Sequence, residues 1–183
     1  MLSDDQIIRR TLKGDNAAFC DLVTRYEKPM FRLAFRMLRR REDAEDAAQE
    51  SFLRAYQNLG VYAGPDKFLP WLRRIVVNCC LKRLGRDREV PTDQIEDAAG
   101  FDPSFADGVE TEVLRRLAQE DIREAIGDLP DSYRAVVVLR YHEDLKCVEI
   151  ADLLGESPGA IRLRLHRAHK ALAEKLAVVK NEL

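Results

Sequence analysis

One stretch limits the fold more than any other: Val148-Glu-Ile-Ala-Asp-Leu-Leu-Gly155-Glu-Ser-Pro-Gly-Ala-Ile-Arg-Leu-Arg-Leu-His-Arg-Ala168 has the sequence form of a helix-turn-helix. A short helix with Ile150, Ala151 and Leu154 on one face stops at Gly155, a residue able to take the left-handed conformation that ends helices. Ser157 can cap the next helix, and Pro158 fits its first position, where a missing N–H costs nothing. In that second helix Ile161, Leu165, Ala168 and Leu172 recur at helical spacing and predict a buried stripe. At roughly 100° per residue, Gly159, Leu163, His166, Arg167 and Lys170 face away from it, flanked by Arg162 and Arg164. A rigid helix that turns cations outward, with a glycine permitting close approach, suits a DNA major groove. A helical hairpin with a solvated basic face is the plainer alternative.

Abundant charge, modest Gly and Pro, and apolar positions at helical period together predict an all-α protein. No apolar run approaches a membrane span, so no membrane insertion is expected. The opening Met-Leu-Ser-Asp-Asp-Gln lacks the basic-then-apolar form of a signal peptide, and a cytoplasmic protein is expected. Cys20, Cys79, Cys80 and Cys147 have no metal-ligand spacing and read as buried, reduced thiols.

Charge is strongly segregated along the chain. Residues 1–90 hold 18 Lys+Arg against 13 Asp+Glu, residues 91–130 hold 3 against 11, and residues 131–183 hold 9 against 8. Two basic units joined by an acidic connector predict two nucleic-acid-facing domains, with a linker that repels DNA or imitates it. The expected division is a four-helix domain over 1–90, an acidic flexible linker over 91–112, and a helix-turn-helix domain over 113–183. From Pro91 to Val109 the chain has no basic residue and little core of its own. Phe101 and Phe105 are its exceptions and could dock on a partner.

In the first domain, Ser3 and Gln6 have capping-box spacing and Gly14 closes a short helix. A long helix is expected from Asp15 or Asn16, with Pro29 kinking it and Arg39-Arg-Arg41 ending it. Tyr26 and Phe31 are assigned to its core side. A third helix is predicted over Glu42–Leu59, a loop over Gly60–Lys67 and a fourth helix from Phe68 to Leu84. Beyond the connector, helix is predicted through Ile126 and again from Asp131. Ala135-Val-Val-Val-Leu-Arg-Tyr141 has strand-like propensity but is read as helix, because its surroundings are helical.

The third helix carries a second informative face. Ala44, Ala48, Ser51, Phe52, Ala55 and Leu59 gather on its buried side. The other side carries Glu42, Asp43, Asp46 and Glu50, with Gln49 at the margin and Leu53 among the acids. A solvated face usually mixes both signs. An acidic face with an exposed leucine at its centre fits a protein-binding ridge, in which the leucine anchors and the carboxylates select a basic partner.

These features occur together, in order, in a known family. Asp43-Ala-Glu-Asp-Ala-Ala-Gln-Glu50 is similar to the core-polymerase-binding helix of extracytoplasmic-function (ECF) sigma factors. Phe68-x-x-Trp71-Leu-x-x-Ile75-x-x-Asn78 resembles the helix that opens and reads their −10 promoter element. Leu129-Pro-Asp-Ser-Tyr-Arg134 through Arg140-Tyr141, followed by the helix-turn-helix, resembles the domain that reads the −35 element. The chain departs from the family pattern at Ala160, Leu163 and His169 in the recognition helix, at Lys146-Cys147-Val148, and at Leu69-Pro70.

The resemblance implies three partners: core RNA polymerase, promoter DNA and an anti-sigma factor. It implies polymerase docking through Asp43, Asp46, Gln49, Glu50 and Leu53. For the −10 strand it implies Tyr62, Lys67, Trp71, Arg73, Arg74, Asn78, Lys82, Arg83 and Arg86, with the arginines and lysines on phosphate. Trp71 and Asn78 fit a core position as well as a DNA contact. For the upstream element it implies Ser157, Ala160, Arg162, Leu163, Arg164, His166 and Arg167. In the family the linker threads toward the active-site cleft and RNA exit path, and a plain solvated tether would have the same composition. No Gly-rich phosphate loop, His/carboxylate metal spacing or nucleophile motif is present, so neither catalysis nor a cofactor or metal is expected. Two other classes remain to be separated: an autonomous helix-turn-helix regulator, and a protein-interaction adaptor built of helical bundles.

Overall fold

The computed structural model describes residues 2–62, 67–86 and 119–181, with side chains for 2–62, 67–85 and 122–176. The acidic linker with Phe101 and Phe105 lies outside the described residues. The chain divides into two compact units, Met1–Glu89 and Val90–Leu183. Among the described residues every regular element is helical.

The first unit holds α1 (Asp4–Leu12), α2 (Phe19–Leu38), α3 (Arg41–Gln57) and α4 (Phe68–Arg86). The Ser3–Gln6 box starts α1: the Ser3 hydroxyl accepts from the Gln6 N–H at 3.3 Å, and the Gln6 side chain accepts from the Ser3 N–H at 2.9 Å. Two amide donors of the first turn, which have no partner within the helix, are thereby satisfied. Asp15 next caps a 3-10 turn, Asn16–Ala18, by accepting the Ala18 N–H at 3.2 Å. The long helix therefore starts at Phe19, not at Asp15 or Asn16. It runs through Pro29 to Leu38.

Arg39 ends α2 with φ +64°, a left-handed conformation that non-glycine residues rarely adopt. Arg41 already belongs to α3, so only Arg39 and Arg40 separate the two helices, not the expected run of three arginines. Helix α3 stops at Gln57, short of the expected Leu59, and a 3-10 turn over Leu59–Val61 takes in the first residues of the predicted Gly60–Lys67 loop.

Helices α2, α3 and α4 pack on one another, with α1 against α2. Leu22, Met30, Leu33 and Met37 of α2 and Phe68, Leu72 and Val76 of α4 are all closed to water, and the two helices pack on each other. Burying each such side chain contributes about 1.5–3 kcal/mol. On α3 the buried side is mostly small: Ala44, Ala47, Ala48, Ser51 and Ala55. Small side chains let a helix backbone approach its neighbours closely, and Ser51 donates its hydroxyl to the Ala47 carbonyl.

Two core assignments change. Tyr26 is half-buried and donates its hydroxyl to Asp4 at 2.5 Å, while Arg25 forms an ion pair with the same carboxylate, tying α2 to α1. Burial, then the Asp4 hydrogen bond, push the Tyr26 phenol up to about 12. Phe31 is only half-buried; it stacks on exposed Phe35 at 5.9 Å between ring centres, and the Arg41 guanidinium lies over the Phe31 ring, 5.9 Å from its centre. Of the cysteines, Cys79 and Cys80 are buried, but Cys20 is exposed and Cys147 half-buried. Burial pushes the Cys80 thiol up to about 12, which leaves it unreactive.

The second unit holds α5 (Gln119–Gly127), α6 (Asp131–Tyr141), α7 (Cys147–Leu154) and α8 (Pro158–Asn181). The strand-like run in α6 is helical because Ala135, Val136, Val137, Val138 and Leu139 are all buried, enclosed by α5, α7 and α8. Burial on nearly every side outweighs the modest helix penalty of β-branched residues. Buried Arg134 donates to the Gly127 carbonyl at 3.2 Å, the Leu129 carbonyl at 3.0 Å and the Asp131 carboxylate at 2.5 Å. It thus satisfies the end of α5 and fixes where α6 begins.

Candidate protein and nucleic-acid interfaces

Helix α3 presents its acidic side to solvent. Asp46 and Gln49 are exposed, and Leu53 is 58 % exposed although it sits in the middle of a packed helix. Tyr56, at i+3 from Leu53 and 38 % exposed, continues this apolar line; its ring also lies edge-to-face with that of Phe19, 5.2 Å between ring centres. The sequence reading missed Tyr56, and its i+3 spacing from Leu53 was the available signal. At the start of the helix, Asp43 pairs with Arg40 at 3.3 Å and Glu45 with Arg41 at 2.8 Å, both in solvent.

Glu50 is placed differently from its neighbours. It is half-buried, with one carboxylate oxygen 2.5 Å from Arg54 and the other 2.6 Å from Arg83 of α4. The hydrogen bond from Arg83, aided by its charge and by Arg54, outweighs partial burial and holds the carboxyl below its usual range. Glu50 therefore joins the acidic ridge to α4, and Arg83 turns toward α3 instead of outward.

On α4 the exposed arc carries Arg74, Asn78 and Lys82 at successive i+4 steps, with Lys67 exposed just before the helix. Asn78 is thus a surface residue and not part of the core. Trp71, half-buried at the head of the arc, joins an aromatic cluster: its ring lies 5.5 Å from Tyr62 and 5.8 Å from buried Phe68, which in turn lies 5.7 Å from Tyr26. The Tyr62 hydroxyl accepts the Lys67 N–H at 3.1 Å, which holds Tyr62 beside the start of α4. Arg73 is half-buried and off the arc; the Arg86 side chain lies outside the described residues.

In the second unit α7 ends at Gly155 with φ +70°, and the Ser157 hydroxyl accepts the Ala160 N–H at 3.1 Å to start α8. Ile161, Leu165, Ala168 and Leu172 are buried as their spacing predicts. Ser157, Gly159, Arg162, His166, Arg167 and Lys170 are exposed, and Ala160 and Leu163 half-buried. Arg164 lies on the flank, its two terminal nitrogens 2.8 and 2.6 Å from the two oxygens of Glu156 in the turn. His169 turns inward to the Tyr141 hydroxyl at 2.9 Å. Burial, followed by the charges of His166 and Arg140, holds it below the usual histidine range.

Among the described residues no cluster of three or more His, Cys, Asp or Glu is placed to hold a metal ion. None of their helices is long and apolar enough to cross a membrane.

Comparison with known proteins follows the same division. Residues 22–89 match the Sigma-70 region 2 family and residues 119–172 the Sigma-70 region 4 family. The chain is 35% identical over 176 residues to the ECF RNA polymerase sigma factor SigW of Bacillus subtilis, covering 92% of this chain and 94% of that protein. It is 32% identical to the RNA polymerase sigma-H factor of Pseudomonas aeruginosa, covering 94% and 93%. Its fold is similar to that of CnrH, solved in complex with the cytosolic domain of CnrY, at a TM-score of 0.61 and 24% identity over 96% of this chain and 97% of that one. It is also similar to the sigma factor RpoE of Bartonella quintana, solved with the anti-sigma factor NepR, at a TM-score of 0.59 and 20% identity over 87% and 97%. A region 2 match over the first unit leaves an autonomous regulator or a simple adaptor without support. The chain belongs to the extracytoplasmic-function family of RNA polymerase sigma factors, which bind core polymerase and direct it to promoters.

Proposed function

We propose that core polymerase docks on the α3 ridge through Leu53, Asp46 and Gln49, with Asp43 and Glu50 at its borders. The exposure of Leu53 carries this reading. A leucine left 58 % in water beside carboxylates gains on burial against a partner, and the carboxylates favour a basic one. The α4 arc of Lys67, Arg74, Asn78 and Lys82 then holds the separated −10 strand. Phosphate contacts from the cations position the strand, and Trp71 at the head of the arc offers a stacking face. The outward arc of α8 reads the upstream element: Arg167 and His166 through base edges, and Leu163 against a thymine methyl. Ser157, Ala160 and Arg162 border that arc.

The protein acts in the cytoplasm by binding alone, without a catalytic step. An anti-sigma factor holds it inactive until a signal arrives. The support for this is the RpoE structure, which was solved with such a factor.

The test of the ridge is Asp46→Lys combined with Leu53→Asp. Both positions are exposed, so helicity and melting should stay near wild type. Capture by core polymerase should fall more than about a hundredfold, because like charges at an interface cost several kcal/mol. Wild-type capture would remove the ridge from the reading. Glu50 is left intact in this variant because it also holds Arg83.

A further inference from the structure

Arg83 has the sequence position of a phosphate contact, yet its side chain is only 20% exposed and its guanidinium is engaged by Glu50. Glu50 itself lies on the helix that carries the polymerase ridge, one turn before Leu53. Both of its oxygens are occupied, by Arg54 and by Arg83. The geometry therefore ties a cation on the strand-holding helix to a carboxylate on the polymerase-facing helix.

We propose that Glu50 is a positioning residue: in the free chain it holds Arg83 against α3, and a cation of core polymerase that engages the carboxylate releases Arg83 to a phosphate of the −10 strand. This inference rests on the α3 ridge and α4 arc assigned above. The chemistry is an exchange of partners. A carboxylate shared by three cations binds each one less tightly, and a guanidinium freed beside a polyanion has a phosphate to replace it. No residue outside the pair has to move far, because Arg83 is a long side chain at the edge of its helix. Strand binding by the sigma subunit is thereby increased when polymerase is present.

The test begins with the full chain and a fluorescein-labelled oligothymidine, without polymerase. Arg83→Met, which keeps the apolar stem, should change affinity little, since the guanidinium is already occupied. Glu50→Gln, close to isosteric and still able to accept from Arg54, should tighten binding. One added phosphate contact raises the salt slope by ~0.7, about fivefold in affinity near ~0.1 M salt. The double variant Glu50→Gln with Arg83→Met should lose that gain. With core polymerase saturating, Arg83→Met should then cost about the same fivefold relative to wild-type holoenzyme.

Three results would overturn the proposal. One is no gain in Glu50→Gln; the second is an equal gain without Arg83, which means diffuse charge; the third is an equal Arg83→Met cost with and without polymerase. Circular dichroism melting of each variant guards against unfolding, and Arg83→Gln supplies a second neutral side chain should Arg83→Met fold poorly. Failure of the ridge assignment reads out separately, as wild-type polymerase capture of the Asp46→Lys, Leu53→Asp variant.

Discussion

Each unit of this sigma factor takes one arginine that its sequence pattern offers to DNA and binds it to a carboxylate. In the second unit the partners are Arg164 and Glu156, eight residues apart, and the pair closes the turn of the helix-turn-helix onto its own recognition helix. In the first unit they are Arg83 and Glu50, 33 residues apart, and the pair crosses from one helix to another. Chemistry and distance are nearly the same; the consequences differ. A local pair stiffens the motif that contains it. The long-range pair joins the α3 ridge to the α4 helix, surfaces for which different partners are proposed above, so a change on one is expected to be felt on the other. The second unit shows this local wiring again at Arg134, whose three acceptors all lie within seven residues.

Arg134 gives the largest effect by which local wiring can be tested. Arg134→Met keeps the buried stem but leaves the Gly127 and Leu129 carbonyls and Asp131 without this donor. Breaking such a buried set costs about 2–4 kcal/mol. Hydrogen exchange should show lost protection over α5 to α8, while the protection of α2, α3 and α4 stays at wild-type level. Equal loss in both units would mean that they share stability, and the contrast between them would fail.

The next effect concerns the recognition helix. Arg167 lies on its outermost exposed arc and Lys170 nearly a turn beyond. Arg167→Ala should cost about 1–3 kcal/mol at a cognate site and relax preference at one upstream base pair. Lys170→Ala should weaken all promoters equally and lower the salt slope by about one unit. In vitro transcription from a library randomised in the upstream element reads both. A selected sequence that shifts with Lys170→Ala and not with Arg167→Ala would mean that the groove-facing arc is rotated from the one proposed.

A smaller effect is expected at the turn. Glu156→Gln removes a partly exposed ion pair, so it should cost no more than about 1 kcal/mol of stability. It should leave polymerase capture and oligothymidine binding unchanged, in contrast to Glu50→Gln. If Glu156→Gln alters polymerase capture, the pair in the second unit is not local in its effect, and the comparison has to be redrawn.

What the sequence revealed in advance follows the same line between near and far. The Ser3–Gln6 box, the Gly155 stop, the Ser157 cap and the Pro158 start are read within a few residues, and each is in place. Helical period also separated the buried side of α3 from its acidic side, and left Leu53 outside. Period tells which way a side chain points from its own helix, but not what another helix brings to meet it. Glu50 was therefore placed on a free ridge and Arg83 on free phosphate, although each is held by the other. Phe31 went to the core for the same reason: its hydrophobicity was visible, its partners Phe35 and Arg41 were not. The Tyr62, Phe68 and Trp71 cluster forms only when Tyr62 comes against the first turn of α4, a contact that helical period does not show.

The smallest effect compares the two helix ends that turn left-handed. Gly155 ends α7 at φ +70° and Arg39 ends α2 at φ +64°, so nearly the same backbone is built once with glycine and once with arginine. A side chain in that region brings Cβ close to the following carbonyl, at roughly 1–2 kcal/mol. Glycine avoids that clash but loses more freedom on folding, which returns roughly 0.5–1 kcal/mol of the gain. Arg39→Gly should therefore stabilise the first unit by about 0.5–1 kcal/mol, and Gly155→Ala should destabilise the second by about 1 kcal/mol. Both are read by urea denaturation at fixed salt, followed through signals specific to each unit: Trp71 fluorescence for the first, hydrogen exchange of α7 and α8 for the second. Arg39 is exposed, and among the described residues no hydrogen bond of its side chain competes with this backbone term. Should Arg39→Gly lower stability, the arginine contributes more through its charge at the C-terminus of α2 than its backbone conformation costs. The basic run there would then be a device for ending the helix, as its sequence first suggested.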